Sequence, residues 1–232
     1  MRYWTVVIVV LVVGCSSLVW GQNIQDIVFY DGFESGDTAG WWAPARVGET
    51  GQTTCYDAGG IVIDCAGTGQ DGDLTPGVAW PNPRFVDNTD GTVTDMLTGL
   101  VWLKDASCAD IGPNGNGTAN FSTALSAAAA LANGTCGLSD GSTAGTWRVP
   151  SYFELLSLLD LDYTFPALSN GEGTAKWTEG DVFVGVQSGS YWSSTSSVGS
   201  ANHAWFVYLD NGYVSAATKT DPLYVWPVRV GQ

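Results

Sequence analysis

Residues 145–159 read Gly-Thr-Trp-Arg-Val-Pro-Ser-Tyr-Phe-Glu-Leu-Leu-Ser-Leu-Leu. A short apolar strand through Trp147-Arg148-Val149 is stopped by Pro150, and a helix starts at once. Ser151 and Glu154 stand at capping-box spacing, the serine hydroxyl accepting from the Glu154 amide while the carboxylate reaches back. Behind the cap, Phe153, Leu156 and Leu159 fall on one helical face, with Leu155 and Leu158 beside them. The pattern specifies a strand-to-helix turn and supplies no reactive group.

Outward from that turn the chain is rich in short strands. Arg84-Phe85-Val86-Asp87 and Thr92-Val93-Thr94-Asp95 flank Asn88-Thr89-Asp90-Gly91, an Asp-Gly hairpin. Leu97–Leu103 is a buried strand. Phe121–Asn133 is the first helix, with Asn133-Gly134 as its left-handed stop. Beyond Ser151 come Tyr191–Thr195, Ala204–Leu209, a turn at Asp210-Asn211-Gly212, then Tyr213–Ser215 and Leu223–Val230. Two helices among many antiparallel strands and hairpins define an α+β domain, with Trp102, Trp147, Trp192, Trp205 and Trp226 expected in its core.

Composition bounds the function classes. Of 232 residues only 13% are charged, and glycine (30) and tryptophan (11) are plentiful. Residues 1–21 read as a signal peptide with cleavage before Gln22. The alternative is a lipoprotein leader, residues 1–14, ending in Val12-Val13-Gly14-Cys15, with Cys15 lipidated. The apolar run is too short to span a bilayer as a mature helix. Without the leader the chain keeps seven basic against 23 acidic residues, net −16. The basic residues are scattered, so a nucleic-acid partner is excluded. Residues 22–50 form a flexible tether, 51–84 a disulfide hairpin with an extended proline-rich lead-in, and 85–232 the main domain.

Four cysteines remain after Cys15, and an oxidising compartment makes them two disulfides with three permitted pairings. Nearest-neighbour pairing is favoured: Cys55 with Cys65 across Ala58-Gly59-Gly60, and Cys108 with Cys136. Asp71 and Asp73 are candidate calcium ligands, against the commoner reading of a plain turn. Otherwise no cofactor is expected.

Five motifs in order, Asp90–Asp95, Leu97–Trp102, Trp147–Pro150 with Glu154-Leu155, Tyr191–Thr195 and Val225–Arg229, resemble the bacterial Lcl C-terminal (DUF1566) domain. Cys108 and Cys136 match a common form of it. The resemblance implies a C-type-lectin-like fold, related to the formylglycine-generating enzymes. The redox cysteines of those enzymes have no counterpart after Cys136. The sulfated-glycan binding of the founding adhesin lacks its basic patch here, and no Gly-X-Y run is present.

Candidate site residues follow. Trp177 and Tyr213 beside Asn202, Asp210 and Asn211 offer aromatic stacking with hydrogen-bonding partners, the chemistry of sugar recognition, and His203 is a further ligand contact. Against this stands the reading of all six as ordinary turn and loop residues. Glu179 and Asp181 are the carboxylates a glycan hydrolase would use. Arg148 and Arg229, set among apolar residues, are expected to be structural, with Glu154 or Asp160 as partners. The expectation is an exported, non-enzymatic module at the cell envelope or secreted, binding a glycan or surface protein through its loops. A structural envelope component is the alternative.

Overall fold

A computed structural model of the chain describes residues 47–231. The signal peptide, Cys15 and tether residues 22–46 lie outside them. The Asp-Gly hairpin forms as expected, β3 (Phe85–Asp87) against β4 (Thr92–Asp95). Gly91 is left-handed at φ 85°, and a Cβ there would meet the Gly137 carbonyl, so glycine is required. β5 (Leu100–Leu103) pairs with β4, and β11 (Val228–Val230) closes a four-stranded sheet ordered β11-β5-β4-β3.

A second sheet has five strands in the order β6-β10-β7-β8-β9: β6 (Thr118–Ala119), β10 (Leu223–Tyr224), β7 (Ser190–Ser196), β8 (His203–Tyr208) and β9 (Tyr213–Thr218). The closing Leu223–Val230 segment therefore belongs to both sheets. Its first half pairs antiparallel with β6 and parallel with β7, its second half antiparallel with β5. Between them Trp226 is fully buried, donates to the Leu103 carbonyl at 2.8 Å, and packs on Trp102, Phe183 and Tyr191 at centroid distances of 5.7, 4.9 and 5.7 Å. A small third sheet, β1 (Cys55–Tyr56) with β2 (Val62–Ile63), stands at the N-terminal side.

Among the described residues three helices form, where two are expected. The extra one is α1 (Asp71–Leu74), a single turn in which Asp71 accepts from the Thr50 hydroxyl and Asp73 from the Gly67 and Gly69 amides. Both candidate calcium ligands are thus engaged in local bonds. α2 (Phe121–Ala130) is capped by Asn120 and stops three residues short of Asn133, because Leu131 turns into the core in extended conformation. It lies on one face of the five-stranded sheet, with Phe121 edge-on to Trp192 at 5.5 Å. α3 (Tyr152–Leu156) lies against β7 and β8.

Both expected disulfides are present, Cys55–Cys65 and Cys108–Cys136. Residues 47–50, assigned to the tether, are built into the fold: Gly48 bridges Val78, and the Thr50 carbonyl accepts from Leu161. Among the described residues no helix is long and apolar enough to cross a membrane.

Candidate functional site

The capping box is complete. Ser151 accepts from the Glu154 amide at 3.3 Å, and Glu154 accepts from the Ser151 amide at 2.6 Å. Its carboxylate also takes both Arg148 guanidinium nitrogens, at 2.5 and 2.7 Å. Burial pushes the Glu154 carboxyl up, but Arg148 and Ser151 outweigh it and leave it below the ordinary carboxylate range. That network fixes the entry of α3, yet the helix is little more than one turn. Its buried side is Leu155, and the chain then tucks Leu158 and Leu159 inward. Phe153, expected on the apolar face, is 75% exposed.

Trp205 corrects the expected core in the same way. It is 37% exposed, whereas Trp102, Trp147, Trp192 and Trp226 are buried. The indole stands on β8 opposite Ala216 of β9, a small residue that leaves its ring uncovered. Tyr152 stacks between the two exposed rings, 6.2 Å from Trp205 and 4.8 Å from Phe153 by centroid. Its backbone amide is held by the Thr195 hydroxyl at 3.2 Å, which ties the start of α3 to β7. Three aromatic side chains thus form one shelf on the side of the sheet away from α2. Arg148 beside it is already neutralised by Glu154.

The six residues expected to line a site do not converge. Trp177 is 7% exposed and donates to the Phe183 carbonyl at 3.2 Å, so it is a core residue. Asp210 is 6% exposed and is also interior rather than surface. Asn202 and His203 open β8, while Asn211 and Tyr213 lie past its other end, about 17 Å away at strand rise. Asn211 accepts from the Tyr213 amide as a turn residue. The His203 Nδ1 is within 2.8 Å of the Ser200 hydroxyl and 2.9 Å of the Asn202 side-chain Oδ1, bonds internal to one turn. By strand alternation His203 does share the face of Trp205, two residues away.

The remaining candidates are accounted for locally. Glu179 accepts from the Gly185 amide and Asp181 from the Val182 amide. Cys108, Asp110 and Cys136 lie close enough together for a metal, but the sulfurs are bonded to each other and Asp110 accepts the Cys136 amide. Arg229 reaches Asp140 at 3.5 Å, not Glu154 or Asp160. The most buried cation among the described residues, Arg84, is not among the expected ones: it faces Asp95 at 3.5 Å, donates to the Ser157 carbonyl and lies 3.8 Å over the Trp80 ring. The register pair Phe85↔Asp95, readable from the hairpin, was the signal that could have found it.

A shallow groove of about 660 Å³ opens on the outer face of the four-stranded sheet, lined by Asn88, Asp90, Thr94, Val101 and Arg229. It is flat and of mixed charge, and it gathers none of the exposed aromatic rings.

The model of the Lcl C-terminal domain matches residues 91–229, well over half of the chain, so the chain belongs to that family. Among curated proteins none matches it.

Proposed function

From that membership we propose an exported, non-enzymatic module that binds a neutral glycan on the shelf of Trp205, Tyr152 and Phe153. The observation that carries the reading is the exposure of Trp205 and Phe153 on either side of the half-buried Tyr152 ring, since large apolar side chains left in water on a rigid frame mark a contact surface. Pyranose faces stack on such rings, and the hydroxyls at their edges find nearby polar groups, here the Thr195 and His203 side chains.

Charge selects the class of glycan. The chain is strongly acidic, and the cation at the shelf is already paired with Glu154. A sulfated or uronic polymer would be repelled, while a neutral one would not. The non-enzymatic part of the reading is supported by Glu179 and Asp181, whose carboxylates serve their own turn, and by the local engagement of His203. Two disulfides support export.

The test is an array of neutral and sulfated oligosaccharides, probed with and without calcium, followed by titration of the best neutral binder against Trp205→Ala and Phe153→Ala. Loss of one stacked ring weakens binding by tenfold or more, about 1.4 kcal/mol, and Phe153→Ala, at a ring 75% exposed, does so with little change in melting. A blank array, or neutral-glycan binding untouched by both substitutions, removes this reading.

A further inference from the structure

His203 is the only histidine in the sequence, and its ring is held at one nitrogen. Nδ1 lies 2.9 Å from the Asn202 Oδ1 and 2.8 Å from the Ser200 hydroxyl, which itself donates to the same Oδ1 at 2.9 Å. An amide oxygen only accepts, and the serine proton is already committed to it. Nδ1 must therefore carry the proton of the neutral ring, which leaves Nε2 as a lone-pair acceptor. Nε2 has no protein partner among the described residues and is open to solvent.

The backbone places that acceptor beside the shelf. His203, Trp205 and Val207 alternate onto one face of β8. Val207 is buried and Trp205 is exposed, so the shelf opens toward His203. Their cross-strand neighbours on β9 are Ala216 for Trp205 and Thr218 for His203, too small to cover either ring. The turn behind is braced as well. The His203 amide donates to the Ser200 carbonyl, and Lys219 donates its amide to the Asn202 carbonyl and its ammonium to the Ala201 carbonyl. Fixing a half-exposed imidazole costs side-chain entropy, and hydrogen bonds near water return little stability. A fixed ring beside exposed aromatics is what a preorganised acceptor requires.

We infer that His203 is a specificity-determining residue of the shelf, its Nε2 accepting a hydroxyl of the sugar stacked on Trp205, with Asn202 as the positioning residue that sets the tautomer. The inference rests on the neutral-glycan reading and adds that the bound sugar must offer a free hydroxyl at this edge. A neutral imidazole asks for a donor and supplies no charge, which matches an uncharged sugar rather than a sulfated or uronic one.

Nitrogen-15 NMR of the protein tests it, because a single histidine gives one unambiguous pair of ring signals. In the free protein Nδ1 is the protonated nitrogen. Asn202→Leu abolishes that preference, and Asn202→Asp, which keeps an acceptor, preserves it. Cellotriose, N-acetylated chitotriose, maltotriose and mannotriose are then titrated in turn, and the one that binds moves the Nε2 signal. His203→Phe keeps a planar ring without the acceptor and weakens that binding at least about tenfold, while His203→Gln restores an acceptor and stays within about threefold of wild type. Neither substitution moves the melting midpoint, since the ring is half-exposed. A free protein protonated at Nε2, or equal losses in the phenylalanine and glutamine variants, overturns the inference. Binding that Trp205→Ala abolishes and His203→Phe spares overturns it while the shelf stands. If none of the four binds, the inference is overturned too, and the wider array decides whether the shelf reading goes with it.

Discussion

Asp160 is 3% exposed, and its Oδ1 accepts the Asp162 amide at 3.0 Å. Burial raises its carboxyl to about 6, opposed by the Asp162 amide it accepts and by Arg84, with the Asp162 charge adding to the rise. The folded chain therefore holds this proton more tightly than the unfolded one, whose carboxyl titrates near 3.8. Its contribution favours folding at low pH, declines as pH rises above about 4, and is fully lost above about 6. Asp160→Asn keeps the acceptor for the Asp162 amide and removes the charge. We expect the variant to be more stable than wild type near pH 7.5, by at most about 3 kcal/mol, and equal to it near pH 4. Urea unfolding at both values decides this, and a variant weaker at the higher pH would make Asp160 a needed counter-ion of Arg84. Single residues were unevenly legible. Arg148 and Glu154 lie six apart across one turn, and their pairing was readable. The pairing of Arg84 with Asp95 follows from the hairpin register, but its burial was not legible, because its acceptor Ser157 lies 73 residues further along the chain.

At the level of elements, what could be read was what is encoded locally. The capping box needs two residues three apart, and it formed as expected. How far α3 would run was not encoded, since Leu158 and Leu159 satisfy a helical pattern equally well when buried in a turn. The same holds for α2, where the core position of Leu131 ended the helix before Asn133-Gly134. β6 and β10, two residues each, are too short to show any period and exist only as partners of other strands. The exposed shelf escaped for the related reason that Trp205 satisfies a core pattern, and its small cross-strand neighbour Ala216, which leaves its ring uncovered, is set by the strand register. The cap itself is open to measurement. Ser151→Ala removes the acceptor for the Glu154 amide and should lower stability by about 1 kcal/mol in chemical denaturation. A change within a few tenths would mean that Arg148 alone holds the turn.

For the whole molecule, the α+β class and the two disulfides were legible, and the sheet order was not. Hairpin signals give neighbours in sequence, whereas the Leu223–Val230 segment joins two sheets through partners more than a hundred residues earlier. The two disulfides hold different parts of that architecture. Cys108 and Cys136 are both buried, and the 28-residue separation they close contains β6 and α2, which packs on Trp192. Removing this bridge frees the unfolded chain and disturbs the core, so Cys108→Ala with Cys136→Ala should cost about 3–4 kcal/mol of global stability. Cys55–Cys65 closes a separation of 10, for which the same chain-entropy argument allows about 2.7 kcal/mol. Its hairpin, however, leaves Ile61 and Val62 in solvent and buries little besides Cys55. Such a unit opens apart from the sheets. Replacing Cys55 and Cys65 should abolish hydrogen-exchange protection in β1 and β2 while moving the global denaturation midpoint far less than the other pair. Equal midpoint shifts from the two double variants would show that the hairpin and the two large sheets unfold as one unit.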